Sequence, residues 1–467
     1  MSFRNSIITI GKDFRFWVVL FFILRMYGIT NPPLEAAHNW RQTLTCSIAR
    51  NFYEVDPNIF YPRIDIDGEK SGIIASEFPV FNYLIYLVSE IFGYTHWYGR
   101  LINLIISSLG IYFFYLIIRK HFSSEHALYS GILLLCSLWF MYSRKIMPDT
   151  FSISLVIMGL YFALEFLYRQ KIWHLLLFVI LSALGGLSKI PSLLVLSVLI
   201  IPMFSGSVKK NAKAVLVIAS AAVLSIVGLW YYYWVPYLQH TFEFQLFFEK
   251  DLKTGMAEIS NYWREALQKF YFGAFLSYMA FAMFLFGLFY AFKSQSKTVL
   301  FVFIAGLLTF IFFAAKTGAV FPTHSYYILP FVPFMAFIAG YGLTKIRVRW
   351  LKVLIIATII IESLANQQHD FRIKDKELYL LSLENLCDRI SSKNDLIAFS
   401  GGPGYQQMYF AHRRGWSLEY REWNDPGRIS AIKHKGCRLL FINKKDSTGK
   451  LNYKIIFENE NYTVYKL

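Results

Sequence analysis

Glu35, His38, Arg41 and Gln42 lie close together in "NPPLEAAHNWRQTLTCSIARNF", the stretch Asn31–Phe52 that follows the first apolar run. A carboxylate or an imidazole can take a proton from an acceptor hydroxyl, and a guanidinium can clamp a phosphate. Pro32 and Pro33 halt the incoming helix. Leu34–Tyr53 then reads as a helix along the membrane surface. Glu35, His38 and Gln42, at i, i+3 and i+7, share one face of it, with Arg41 alongside. An ordinary amphipathic interfacial helix has the same polar face, so both readings stand at this point. Glu77, in Glu77-Phe78-Pro79, closes the same loop. It is either a second functional carboxylate or a charge placed at a helix N-terminus.

Later candidates come from ionisable residues near membrane depth, where charge is costly and function is the default reading. Arg144, Lys145 and Asp149 fall in the turn Arg144-Lys145-Ile146-Met147-Pro148-Asp149. They form either a charge-paired structural turn or an acidic site residue with cations that face an anion. Lys189 is a lone cation between two short apolar runs, where it binds a ligand or merely snorkels. His324, Tyr326 and Tyr327 occur in "PTHSYYILPFVP", and the tyrosines also suit interfacial anchoring. Gly401-Gly402-Pro403-Gly404 lacks the lysine and spacing of a phosphate loop and reads as a turn. No HExxH, CxxC, GxSxG or nucleotide P-loop occurs.

The elements that must position these residues follow from composition. Of 467 residues, 56% are hydrophobic and 16% charged, against about 25% charged in soluble domains. Apolar runs between short charged clusters indicate an all-α polytopic membrane protein. Phe16–Ile29 is a retained first span, with Arg25 expected to snorkel. The net charge of +17 is concentrated in turns such as Arg119/Lys120, Arg169/Lys171 and Lys345/Arg347/Arg349. This is a topology signal, and no nucleic-acid motif accompanies it. About eleven spans result, near 16–29, 101–118, 126–146, 150–168, 172–187, 190–204, 214–235, 268–291, 298–315, 326–343 and 351–364. The N-terminus is then cytoplasmic and the C-terminus extracytoplasmic. Val80–Phe92 is too short for a typical span and reads as a juxtamembrane or re-entrant helix of the first external loop, 31–99, the alternative being a true crossing paired with a second span not recognised in the sequence. A medium loop holds Glu243, Glu249, Asp251 and Glu258.

Residues 1–365 thus form a transmembrane domain and 366–467 a small soluble α/β domain. The latter has a helix over Leu378–Ile390 and strands over Leu396–Ser400, Arg438–Ile442, Lys454–Glu458 and Tyr462–Lys466. Cys387 and Cys437 either pair or remain buried thiols.

The order of these elements is informative. It runs from a carboxylate on a helix after the first span, through "EFP" before a short apolar segment and Arg100, to a "PD" turn and a late "SYYILPFVP". Over residues 10–365 it resembles the C-type glycosyltransferase superfamily. The similar branch is that of the bacterial protein O-mannosyltransferases and the lipid A aminoarabinose transferase. The resemblance implies transfer of a sugar from a polyprenyl-phosphate donor in the plasma membrane to an extracytoplasmic acceptor: an envelope glycan, a lipid or a protein. Glu35 then stands at the family's first-loop acid, with His38 as a competing base because the usual second acid is absent. Asp149 matches the acid of the "PD" turn. Arg41, Arg144, Lys145, Lys189, His324 and Tyr326 fall to the donor phosphate, and Gln42, Glu77, Arg100 and Tyr327 to the substrates. A divalent ion would be held only if Glu35, His38 and Asp149 converge. The alternative functions are a transporter or flippase for lipid-linked sugars and a glycan polymerase or ligase. The first would place ionisable groups at mid-membrane in related halves. The second would rely on a large loop between late spans.

Overall fold

The computed structural model describes residues 11–244, 250–402, 404–445 and 451–467; Glu249 of the medium loop and Pro403 of the glycine run lie outside them. The chain divides into two units. One comprises Met1–Ile29, Arg100–Tyr233 and Phe247–Phe371, and the other Thr30–Gly99, Trp234–Leu246 and Arg372–Leu467.

The first unit is helical. A bilayer offers no water to backbone groups, so apolar runs satisfy their own hydrogen bonds as helices. Among the described residues five helices are long and apolar enough to cross: Tyr98–His121, Pro148–Arg169, Lys210–Phe242, Lys297–Thr317 and Arg349–Phe371. Trp263–Gly273 with Tyr278–Lys293 makes a sixth if that pair, bent by 90°, is one span. Apolar side chains such as Ile218 and Leu308 stay exposed on these helices, as a lipid-facing surface requires. The chain is a multi-pass membrane protein.

The other runs are shorter or broken. Phe14–Arg25 has 12 residues, and the run at 126–146 divides at Ser137 into Ser124–Cys136 and Trp139–Tyr142. Ile172–Ser188 ends at Lys189, beyond which Ile190–Leu199 winds as a 3₁₀ helix. Pro148–Arg169 is the most enclosed of the spans and packs against both of these segments.

Arg25 does not snorkel. It is fully buried and donates to Phe21 O at 2.9 Å, Ser143 Oγ at 2.5 Å and Ser108 Oγ at 3.1 Å. Those internal acceptors replace the water it would otherwise have to reach.

The second unit is built on a five-stranded sheet of order β2-β1-β3-β5-β4. The strands are β1 (Leu396–Ser400), β2 (Arg414–Leu418), β3 (Cys437–Asn443), β4 (Lys454–Glu458) and β5 (Tyr462–Lys466). β1 runs parallel to β2 and β3, while β5 is antiparallel to β3 and β4. β2 escaped the sequence reading because "RGWSL" opens with Arg-Gly and offers only Trp416 and Leu418 as apolar residues. The expected helix Leu378–Ile390 is a 3₁₀ turn over Asp375–Ser382 followed by an α-helix over Leu383–Ile390. All four cysteines are buried, and none forms a disulfide. Cys387 belongs to the apolar core with Phe399 and Phe441, and Cys437 to the core with Trp416 and Leu440, so the two do not pair. Burial pushes both thiols up to about 12.

Candidate active site

In the second unit the first loop does not begin as a helix at Leu34. Glu35 forms an antiparallel bridge with Ile373, and Ala36 N–H donates to Arg372 O at 2.9 Å. Ala37 and His38 then take left-handed backbone angles, φ +59° and +58°, and the helix starts at Asn39 and runs to Glu54. The shared face of Glu35, His38 and Gln42 is therefore not formed, because short strand pairing captures the residues that periodicity assigned to a helix. Two successive non-glycine residues in this region store strain, a feature that clusters at functional sites.

Glu35 is fully buried, and Asn31 Nδ2 donates to its Oε1 at 3.0 Å. His38 caps the helix with its backbone: its carbonyl accepts from the amides of Arg41 and Gln42, both at 3.1 Å. The Arg41 guanidinium is ion-paired to Glu77, with both side chains largely buried. Glu77 precedes Pro79, the N-cap of the Val80–Phe92 helix, so its carboxylate pairs with Arg41 and does not cap that helix. Gln42 is fully buried.

The C-terminal segment holds this helix in place. Gln406 Nε2 donates to Asn39 Oδ1 at 3.0 Å, and Trp40 stacks on Tyr405. Arg50 reaches Tyr409 O at 2.9 Å and Asp65 at 3.2 Å. His412 lies between Glu54, at 2.7 Å, and Glu384, at 2.6 Å.

In the helical unit the turn before Pro148–Arg169 is the centre of the polar set. Asp149 is 3% exposed and is ion-paired to Lys189. The Lys189 ammonium lies 4.6 Å from the ring centre of Tyr326 and 5.8 Å from that of Tyr327. These four residues line one narrow cavity with Ser192. Among the described residues Asp149 Oδ2 and Ser192 Oγ are buried with no hydrogen-bond partner. Arg144 is buried, donates to Gly28 O at 2.9 Å, and stacks its guanidinium over Phe371 at 4.3 Å. Lys145 and Arg100 are also buried. His324 stands beside Tyr326 and Tyr327. Burial, with Lys269 and Lys189 nearby, holds its imidazole below the ordinary value, so the neutral form prevails at pH 7.

Three residues of this set went unread in the sequence. Asn103 Nδ2 donates to Tyr142 O at 2.9 Å and Lys145 O at 2.8 Å, and its Oδ1 accepts from Thr150 and Ser107, so one side chain fixes the whole turn. Tyr142 OH bonds Ser325 Oγ at 2.6 Å, which ties the turn to the late "SYY" segment. Ser192 contributes its hydroxyl to the cavity. The available signal was a polar side chain inside an apolar run, which marks Asn103 as it marked Arg25. Among the described residues no three His, Cys, Asp or Glu side chains gather as a metal-holding group.

Residues 76–233 match the family model described as dolichyl-phosphate-mannose-protein mannosyltransferase. No curated protein matches the chain. Among solved structures, the chain is similar to ArnT from Cupriavidus metallidurans bound to undecaprenyl phosphate. The TM-score is 0.62 at 11% identity, covering 96% of this chain and 97% of that one. It is also similar to the archaeal oligosaccharyltransferase AglB from Archaeoglobus fulgidus, in complex with an inhibitory peptide and a dolichol-phosphate. There the TM-score is 0.58 at 11% identity, covering 92% of this chain and 69% of that one. The chain thus shares the fold of ArnT and AglB, and residues 76–233, which include the "PD" turn, match the mannosyltransferase family model.

Proposed function

We propose that this protein is an integral-membrane glycosyltransferase that moves a sugar from a polyprenyl-phosphate donor to an extracytoplasmic hydroxyl acceptor. The observation that carries the reading is the narrow polar cavity of the helical unit, lined by Asp149, Lys189, Ser192, Tyr326 and Tyr327. Ser192 Oγ is buried there without a hydrogen-bond partner among the described residues, and Arg144 and Lys145 are buried in the turn that precedes Asp149. Charged groups at membrane depth are costly and mark a ligand, and a lipid phosphate is an anion that these cations suit. Polyprenyl phosphates are the ligands of ArnT and AglB, which supports the same class here.

The chemistry is a single displacement. The acceptor oxygen bonds to the anomeric carbon while the bond from that carbon to the phosphate oxygen breaks, with inversion. Glu35 takes the acceptor proton, and the polyprenyl phosphate leaves with the bonding pair. Because the donor is already activated, the protein needs a base, cations for the departing phosphate, and positioning. Arg144, Lys145 and Lys189 serve the phosphate. Asp149 orients Lys189, and Tyr326 and Tyr327 pack over it. Arg41, held by Glu77, orients the substrates together with Gln42 and Arg100. His38 acts through its backbone turn. The reading includes an eleven-span topology, a cytoplasmic N-terminus and an extracytoplasmic soluble domain over 366–467.

The test is transfer by the purified protein from a panel of polyprenyl-phosphate sugars, comparing wild type with Glu35→Gln and Asp149→Asn. Transfer from at least one donor, lost in Glu35→Gln, is expected. A wild type that binds no polyprenyl phosphate and transfers from none overturns the reading.

A further inference from the structure

The glycine run that follows β1 gives room to a pair of amide side chains beside the first-loop helix. Gly401 and Gly402 take φ +124° and +72°, where a side chain would be strained, so the chain turns there on glycine. A Cβ at Gly404 would lie 2.7 Å from Gln406 Oε1, so glycine at that position leaves the Gln406 amide its place. Gln406 Nε2 donates to Asn39 Oδ1 at 3.0 Å, and the same oxygen accepts from the Trp40 backbone N–H at 2.8 Å. The Trp40 indole stacks on Tyr405, with ring centres 6.3 Å apart and planes 23° from parallel.

These side chains differ in burial. Tyr405 is 7% exposed and belongs to the apolar core with Leu44, Ile48 and Phe52, against which Trp40 packs. Trp40, Asn39 and Gln406 are half-buried and keep part of their surface outside. The bond between the two amides uses the Asn39 oxygen and a Gln406 N–H. Among the described residues the Asn39 amide nitrogen and the Gln406 carbonyl oxygen have no bond to the protein. The pair therefore keeps one donor group and one acceptor unspent beside the indole. No net charge enters the group. Burial pushes the Tyr405 hydroxyl up to about 12, which keeps it neutral, and the Arg41 guanidinium near it is ion-paired to Glu77.

We infer that Trp40, Asn39 and Gln406 form a subsite for a neutral pyranose, which makes the acceptor a glycan. The inference rests on the glycosyltransferase reading above and adds to it the acceptor's chemical class. A pyranose has an apolar C–H face that packs on the electron-rich face of an aromatic ring, and a rim of hydroxyls that each donate and accept. An aromatic surface with a few placed polar groups is the usual composition of a small-molecule site. A phosphorylated headgroup would call for an uncompensated cation, whereas Arg41 is already neutralised by Glu77. An acyl chain would call for a lining without amides. Asn39 opens the helix capped by His38 and follows Glu35 by four residues, so a sugar held there lies at the segment that carries the proposed base.

The probes are the methyl glycosides of glucose, mannose, galactose and N-acetylglucosamine, and their binding to the purified full-length protein is followed by saturation-transfer NMR. Wild type is expected to bind at least one of them saturably. Trp40→Leu should weaken that glycoside about tenfold, through loss of the stacking face, and Gly404→Ala about threefold, since it displaces only the Gln406 amide. Both variants should keep the wild-type affinity for undecaprenyl phosphate, which a general disturbance of the fold would lower. Tyr420→Ala, at an exposed aromatic residue of the same unit, serves as a control that binds the glycoside as wild type does. Absence of binding by wild type overturns the inference, as does an affinity that Trp40→Leu leaves unchanged. If Trp40→Leu fails to fold, Gly404→Ala decides in its place. Transfer to a serine-containing peptide but to none of the glycosides also overturns the inference and leaves the proposed function standing. Glycoside binding that depends on Trp40, without transfer from any donor, fails the proposed function and leaves the subsite standing.

Discussion

The guanidinium of Arg41 is ion-paired to the carboxylate of Glu77, and both side chains are withdrawn from solvent. The pair joins the first turn of the Asn39–Glu54 helix to the segment that enters Val80–Phe92, the two ends of the loop that carries Glu35. Removing one partner of a buried pair leaves an uncompensated charge, at a cost of about 3–5 kcal/mol. Glu77→Ala should therefore lower thermal stability markedly, and Arg41→Met/Glu77→Leu should recover most of the loss. Additive losses across the double-mutant cycle would show that the pair is not coupled.

Asn103 should behave as a positioning residue. Its amide and carbonyl fix the turn that carries Arg144, Lys145 and Asp149. Each lost bond to a buried carbonyl costs about 1–3 kcal/mol. Asn103→Ala is expected to lower kcat for transfer more than it raises KM for the acceptor, because the side chain is fully buried and acts through the turn. An effect confined to acceptor KM would place Asn103 against the acceptor instead.

Much of the architecture was legible before the structure. Long apolar runs such as Tyr98–His121 and Lys297–Thr317 announce themselves, and four of the five strands of the C-terminal segment follow from β-branched and aromatic runs. What escaped depended on partners distant in sequence. Glu35 was read as helical because period-based reasoning sees only its neighbours, while its bridge to Ile373 lies far along the chain. Arg25 was read as snorkelling because Ser108 and Ser143 could not be known to meet it. The 3₁₀ run after Lys189 was read as an ordinary span, since its apolar content is the same for either helix type.

Acid should loosen the contact that His412 makes with the first-loop helix. Burial pushes Glu54 and Glu384 up, but the hydrogen bonds and charge of His412 and Lys393 outweigh it and hold both below the ordinary value of 4.5. With folded values depressed, their stabilisation is full above the unfolded value and is lost as pH falls through the folded one. Glu54→Gln should thus destabilise the protein at pH 7, by a gap that narrows as pH falls below 4.5. Thermal melts of both proteins across that range check it, and an equal gap at both ends would contradict the assignment.

The four cysteines should be silent in the native protein. Cys46, Cys136, Cys387 and Cys437 are each 3% exposed or less. Maleimide should label none of them until detergent or heat unfolds the chain, and then all four without prior reduction. Labelling that needs a reductant would reveal a disulfide.

The account turns on Glu35 as the proton acceptor in sugar transfer, and initial rates with a productive polyprenyl-phosphate donor test it directly. General-base contributions are about 10²–10⁴-fold. Glu35→Gln keeps the side chain's shape and its hydrogen bond from Asn31 Nδ2 to the carbonyl oxygen, so its kcat should fall by that factor with donor binding retained. A Glu35→Gln enzyme that transfers sugar at the wild-type rate would contradict the mechanism.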